Sequence, residues 1–296
     1  MKRIIAVALA LVTVGVSAAS AGNDLRAPRS SSTARVAVVT CGSAITSPGV
    51  YELTADLNCS GAFVANPNVP PGAALYVNSS GVTINLNGHS IFGPGATTSS
   101  TGVWIEGDAL IENGTIRGFG TGVLGTASGV QTNDLRVAKN GYGIFGSLMT
   151  LTVSNSYINE NTADGIYASV GLGIGVSNSQ VNGNGGNGIT DHETGFVGVG
   201  NIISRNGGYG IWNDEYGVSL KNNQVNNNGS DGIYLGLNPF PDTYWLLNNT
   251  ANGNGGHGID FAARSQLIQG PSYFEGNIAR DNLTNPQCIN ILCRTS

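Results

Sequence analysis

A Gly-[Ile/Val] step returns about every 22 residues through this 296-residue chain. It stands at Gly122-Val123, Gly143-Ile144, Gly165-Ile166, Gly188-Ile189, Gly210-Ile211, Gly232-Ile233 and Gly258-Ile259, at intervals of 21, 22, 23, 22, 22 and 26. A fixed period of this length marks a solenoid, in which a repeat buries its apolar face only by stacking on its neighbours. Asn keeps the same register. Counting back five from each Ile gives Asn161, Asn184, Asn206, Asn228 and Asn254, with Asn140 at minus four. Counting back eleven gives Asn155, Asn178, Asn222 and Asn248, with Gly200 breaking the series. Between them, at minus eight, lie Ile158, Val181, Ile203, Val225 and Ala251.

Apolar residues at two-residue spacing, broken by Asn-Gly turns, describe two or three short strands per repeat. Helical repeats are excluded, because Asn-Gly pairs would interrupt every helix and no i, i+3, i+4 pattern survives. The expected architecture is therefore all-β: a parallel coil, right-handed by the crossover rule, of about nine coils of ~22 residues with capped ends. Adjacent strands lie about 4.8 Å apart, so nine coils give a rod on the order of 40 Å. Equivalent residues then stack directly: inward Ile and Val as a core, Asn as axial hydrogen-bonded ladders that also satisfy turn backbone. Gly is expected in the turns for positive φ.

The chain opens like an exported protein. Lys2 and Arg3 precede an uncharged run from Ile4 to Val16, and Ala19-Ser20-Ala21 reads as a cleavage site before Gly22. The run is too short to span a bilayer, and no later stretch is long and apolar enough, so the mature chain is expected to have no membrane span and to be secreted or periplasmic. Residues 1–21 are assigned to the signal, 22–38 to a flexible leader, 39–62 to an N-terminal cap, 63–264 to the coil and 265–296 to a C-terminal cap. The four cysteines cluster at the ends, which favours the local disulfides Cys41–Cys59 and Cys288–Cys293. Net charge is −5, moving to −7 when Lys2 and Arg3 leave. An acidic chain with three Lys has no electrostatic footprint for nucleic acid, and disfavours anionic polymers unless calcium or a local basic site mediates.

The recurring Asn-x-x-x-Gly-Ile unit, with Val82-Thr83-Ile84-Asn85-Leu86-Asn87-Gly88-His89, resembles the right-handed parallel β-helix proteins of the pectin-lyase-like fold superfamily, over roughly residues 63 to 264. The resemblance implies the fold and leaves the activity open among polysaccharide lyases, glycoside hydrolases, uronate epimerases and members without an assigned reaction. Two GxGxxG matches, from Gly183 and from Gly253, recur in the repeat turn and are coil geometry, not nucleotide sites. Gly255 to Asp260 resembles a calcium nonapeptide but lacks the nine-residue tandem copies such sites require.

The best chemical candidates follow the Ile of two consecutive coils: Thr190-Asp191-His192-Glu193 and Trp212-Asn213-Asp214-Glu215. In register, His192 stacks over Asp214 and Glu193 over Glu215. Adjacent carboxylates repel and raise at least one pKa unless a cation relieves them. Asp191, His192, Glu193, Asp214 and Glu215 are thus candidates for general acid and base work on a sugar, and Asp191, Glu193, Asp214 and Glu215 for calcium. Asp191-His192-Glu193 has a faint likeness to the Asp-Pro-His-Asp/Glu motif of alginate C5-epimerases, without the Pro. Lyase chemistry needs a base such as Lys or Arg, and Arg205 and Lys221 are the nearest in sequence.

The position after each Ile reads Phe145, Tyr167, Thr190, Trp212, Tyr234 and Asp260, outward if the Ile points inward. Tyr142, Tyr209 and His257 stand two before the Ile. Phe145, Tyr167, Tyr209, Trp212, Tyr234 and His257 are candidate sugar-binding residues; the plainer reading is stacking that stiffens the sheet. Asp164 and Asp231 read as turn residues. The insertion Asn238-Pro239-Phe240-Pro241-Asp242 is expected to bulge from the coil beside this stripe. Two functions follow. One is a protein that binds or modifies a polysaccharide or cell-surface glycan on its aromatic face, as lyase, hydrolase or epimerase. The other is a non-catalytic, adhesin-like surface rod. A copper-site maturation factor would share the fold, but the few His and the terminal cysteines argue against it.

Overall fold

The computed structural model describes residues 35–38, 40–61, 66–126, 129–147, 150–171, 173–192, 195–214, 217–236, 243–262 and 272–295. The signal, most of the leader and the 238–242 insertion lie outside these residues. The described chain is a right-handed parallel β-solenoid without helix. Its strands form a nineteen-stranded sheet and an eleven-stranded sheet. About seven turns keep the regular period. Further strands at each end, from Ser43–Ile45 to Cys288–Ile289, bring the smaller sheet to eleven, so the expected count of nine coils is corrected. Beyond Gly102-Val103, which stacks on Gly122-Val123, the outer coils lack on that sheet the Gly-[Ile/Val] step that allows counting by sequence. Arg35–Val38, inside the expected leader, is a strand pairing in parallel with Gly49–Leu53.

Both disulfides form with the expected local pairing, Cys41–Cys59 and Cys288–Cys293. Among the described residues no helix is long and apolar enough to cross a membrane.

Registry is held by buried amides. Asn140, Asn161, Asn184, Asn206, Asn228, Asn254 and Asn282 form one ladder, every member at most 6% exposed. Each Nδ2 donates to the Oδ1 of the next coil at 2.9–3.2 Å. The same Oδ1 accepts the backbone N–H of the preceding member. Gln287 ends the column, its Oε1 taking both the backbone and side-chain N–H of Asn282.

The minus-eleven Asn residues are not a second ladder, contrary to the sequence expectation. Asn155, Asn178, Asn222 and Asn248 hold φ of 49–57°, and Gly200 and Gly276 take the same place at 67° and 66°. They are left-handed turn residues, where Asn and Gly substitute for one another. The second buried column is one residue on. Ser156 and Ser179 lead into Asn201, Asn223, Asn249 and Asn277, with Asn–Asn contacts of 2.9–3.0 Å.

Turn glycines such as Gly183 and Gly253 hold positive φ as expected, while the Gly of the Gly-Ile step is required for another reason. Positive φ is not found there. A Cβ on Gly188 would instead lie 2.6 Å from Gly210 O, 2.6 Å from Ile203 Cγ2 and 2.7 Å from Asn206 Nδ2. The coil corner approaches the ladder too closely for any side chain.

The two Asn columns should respond differently. Asn206→Ala strands Asn184 N–H and Val181 O and breaks the amide chain, and should lower stability by about 3–5 kcal/mol. Asn222→Gly, at a φ that Gly adopts freely, should stay within about 1 kcal/mol. Urea unfolding followed by circular dichroism distinguishes them; equal losses would refute the assignment of the columns.

Candidate functional site: the outer face of the eleven-stranded sheet

The strands Ile166–Ser169, Ile189–His192, Ile211–Asn213, Ile233–Leu235 and Ile259–Phe261 stack in parallel, residue on residue. Their first residue points inward and is fully buried. The second points outward, as alternation requires, and forms the column Phe145, Tyr167, Thr190, Trp212, Tyr234 and Asp260. All but Thr190 are half-buried, with part of each side chain at the surface. Thr190 is buried, its hydroxyl donating to Asp164 Oδ2 at 2.6 Å.

The rings meet as the coil spacing dictates. Phe145 and Tyr167 stack at 4.9 Å and 13°, with Tyr142 set edge-on to both. Tyr209 leans on Tyr234 at 5.5 Å, and His192 stacks on Trp212 at 6.0 Å. The column continues further than the sequence suggested, through Leu124 to Trp104 and Tyr76. Tyr76 meets Trp104 edge-on and donates to Glu106 Oε2 at 2.5 Å. Loss of hydration and this bond push its phenol up to about 12. Sequence reading missed this pair because the early coils depart from the 22-residue period; the Gly102-Val103 step, 20 residues before Gly122-Val123, and the alternation Val103-Trp104-Ile105 were its visible signs.

Beside the rings, Asp164, Asn187 and Asp231 stand two before the Ile. Each side-chain oxygen takes the backbone N–H of the same position one coil on: Asn187, Tyr209 and His257. The turn role expected of Asp164 and Asp231 is thus their local one, yet their charge also bears on the face. Desolvation raises the phenols of Tyr167, Tyr209 and Tyr234, with carboxylates adding to it: Asp164 and Asp214 at Tyr167, Asp231 and Asp260 at Tyr209, and Asp260, Asp231 and Asp214 at Tyr234. Asp260 itself is raised, first by desolvation and then by Asp231, with His257 opposing. His257 Nδ1 lies 2.6 Å from Pro286 O.

His192 meets Asp214 as the register predicted, Nδ1 to Oδ2 at 2.5 Å. Asp214 Oδ1 is buried with no hydrogen-bond partner among the described residues. Asp191 requires a correction. It sits at the inward place that Leu235 and Phe261 fill in later coils, is fully buried, and accepts from Asn213 Nδ2 at 2.6 Å. Alternation turns it away from the His192 face, so it can neither touch a substrate there nor share a cation with Asp214. Glu193 and Glu215 lie outside the described residues. Among the described residues no three His, Cys, Asp or Glu side chains gather as a metal site; two of the four expected calcium donors, Glu193 and Glu215, lie outside them. Arg205 and Lys221 belong to the nineteen-stranded sheet and its turns and do not join the acids.

The coil and this face define a right-handed parallel β-helix protein with a mixed aromatic and carboxylate column. A family model described as a right handed beta helix region matches residues 197–279. A search of curated protein sequences finds no match. Among solved structures the chain is similar to the Dettilon tailspike protein gp208, at TM-score 0.58 and 15% identity over 86% of this chain and 55% of that one. It is similar to the A-module of mannuronan C-5 epimerase AlgE6 of Azotobacter vinelandii, at TM-score 0.55 and 15% identity over 83% and 78%. Pectate lyase Pel9A matches at 0.53 and 16% over 90% and 78%. The chain thus spans about half the length of the tailspike chain, and at these identities the likeness is one of fold.

Asp260 offers a test of the face's electrostatics. Its folded-state pKa lies above the unfolded value, so its stabilising effect is complete below the unfolded pKa and is lost as pH rises through the folded one. Asp260→Asn should therefore raise the Tm at neutral pH, with the gain fading as pH falls through the raised folded pKa and gone below the ordinary Asp value. Parallel Tm–pH curves for the two proteins would contradict the raised pKa.

Proposed function

We propose that this protein binds a polysaccharide along the outer column of the eleven-stranded sheet, outside the cytoplasm. The observation that carries the reading is the run of half-buried outward rings one coil apart, flanked by carboxylate acceptors. A sugar ring offers an apolar C–H face to an aromatic and a rim of hydroxyl donors to the acceptors beside it. From Tyr76 to Asp260 the column covers eight coil steps, about 38 Å, enough for several sugar units of an extended chain. The fold neighbours named as a pectate lyase and a mannuronan C-5 epimerase support a glycan role. Two disulfides and the export-like leader support the location.

Catalysis is a second reading, favoured by one observation. His192 and Asp214 form a hydrogen-bonded acid–base pair beside the Trp212 ring, and Asp214 keeps a buried oxygen without a partner. Such a pair can hold a proton at His192 and pass it to or from a bound sugar. A surface rod whose repeat serves stability alone would need neither the pair nor the rings.

Trp212→Ala should weaken glycan binding at least about tenfold, roughly 1.4 kcal/mol, with the Tm unchanged. Affinity electrophoresis in polysaccharide gels measures this; undiminished retention would remove the platform. Mass-spectrometric product analysis, with His192→Ala alongside, tests the acid–base pair: products made equally by both proteins would remove it from the site.

A further inference from the structure

We infer that the glycan bound on this face is uncharged: a neutral, hydroxyl-rich polysaccharide and not a polyuronate. The inference rests on the column being a glycan site and concerns what that site selects.

Charge is divided between the two sheets. Of thirteen Lys and Arg, five (Lys2, Arg3, Arg26, Arg29 and Arg264) lie outside the described residues. The other eight all stand on the nineteen-stranded sheet or directly beside it, among them Arg117, Arg136, Lys139 and Lys221. There Arg35 pairs with Glu52 and Lys139 with Glu160. None of the described cations reaches the outer face of the eleven-stranded sheet, which carries Asp164, Asp214, Asp231 and Asp260 among its rings. A polyuronate would bring a carboxylate on every sugar into this field, with no described Lys or Arg to meet it.

The hydrogen-bonding capacity of the face points the same way. Asp164 and Asp231 each already accept a backbone N–H from the next coil, Asp164 also takes Thr190, and Asp214 Oδ2 is held by His192. What remains open at the surface is the Asp260 carboxylate, which has no hydrogen bond among the described residues, while Asp214 Oδ1 is buried. Ring hydroxyls donate to isolated acceptors one at a time. A uronate carboxylate has no proton to give them.

The test is affinity electrophoresis of the mature protein against three kinds of polymer. Cello-oligosaccharide-rich glucan, xylan and starch are neutral, alginate and polygalacturonate are polyuronates, and chitosan carries amines. Each is run at about 0.01 M and about 1 M salt, where the Debye length falls from ~30 Å to ~3 Å. The expected result is retardation by at least one neutral polymer, insensitive to salt and reduced at least about tenfold in Trp212→Ala, with none by either polyuronate. Asp260→Lys, with folding checked by its Tm, should admit a polyuronate at low salt. Retardation of the unmodified protein by a polyuronate, lost in Trp212→Ala, would overturn the neutral selectivity while keeping the column as the site. Retardation by chitosan alone, abolished at high salt, would overturn it in favour of amine recognition. Retention by no polymer would remove the glycan reading itself, and this inference with it.

Discussion

The amide ladder is the interaction on which the rest of the structure depends. An Asn side chain carries donor and acceptor on one planar group, so it can accept from the coil before and donate to the coil after. Buried between coils, such a group is costly unless every position is filled. From Asn140 to Asn282 every position is filled, and Gln287 closes the end. The ladder thereby fixes the axial register of each coil to its neighbour. Every other column, inward or outward, inherits that register.

The close approach at the coil corner belongs to the same device. The ladder amide sits just under the backbone of the Gly-Ile step, so the Gly is dictated by contact with Asn Nδ2 and the next carbonyl. At each such corner the Ile or Val that follows faces inward, and the residue after it faces out. A 22-residue repeat thus places six successive side chains, from Phe145 to Asp260, in one file. Aromatic contact across coils follows from a spacing set elsewhere.

That file lies in a field of one sign. Burial raises the phenols of Tyr167, Tyr209 and Tyr234, and Asp164, Asp214, Asp231 and Asp260 add to it, while the described Lys and Arg stand on the other sheet. The proposed neutral glycan is the ligand that such a column of rings and carboxylates would suit. His192 and Asp214 meet on this face beside Trp212.

Much of this was legible in the sequence because the coil is built from period, and period needs no tertiary information. The Gly-Ile step and the minus-five Asn gave the solenoid, the parallel register, the ladder, the His192–Asp214 pairing and the outward rings from Phe145 to Tyr234. Local cysteine spacing gave both disulfides. Three things were decided only in three dimensions. The minus-eleven Asn became left-handed turn residues, and the second ladder moved to the next position, because φ and burial cannot be read from residue type. Tyr76 and Trp104 joined the column through coils whose lengths vary, where counting fails but stacking continues. Asp191 turned into the core beside Asn213, although it is flanked by outward polar neighbours. Sequence specifies which side chains alternate; only the packed coil shows whether an inward place is apolar, as at Leu235, or holds a hydrogen-bonded carboxylate, as at Asp191.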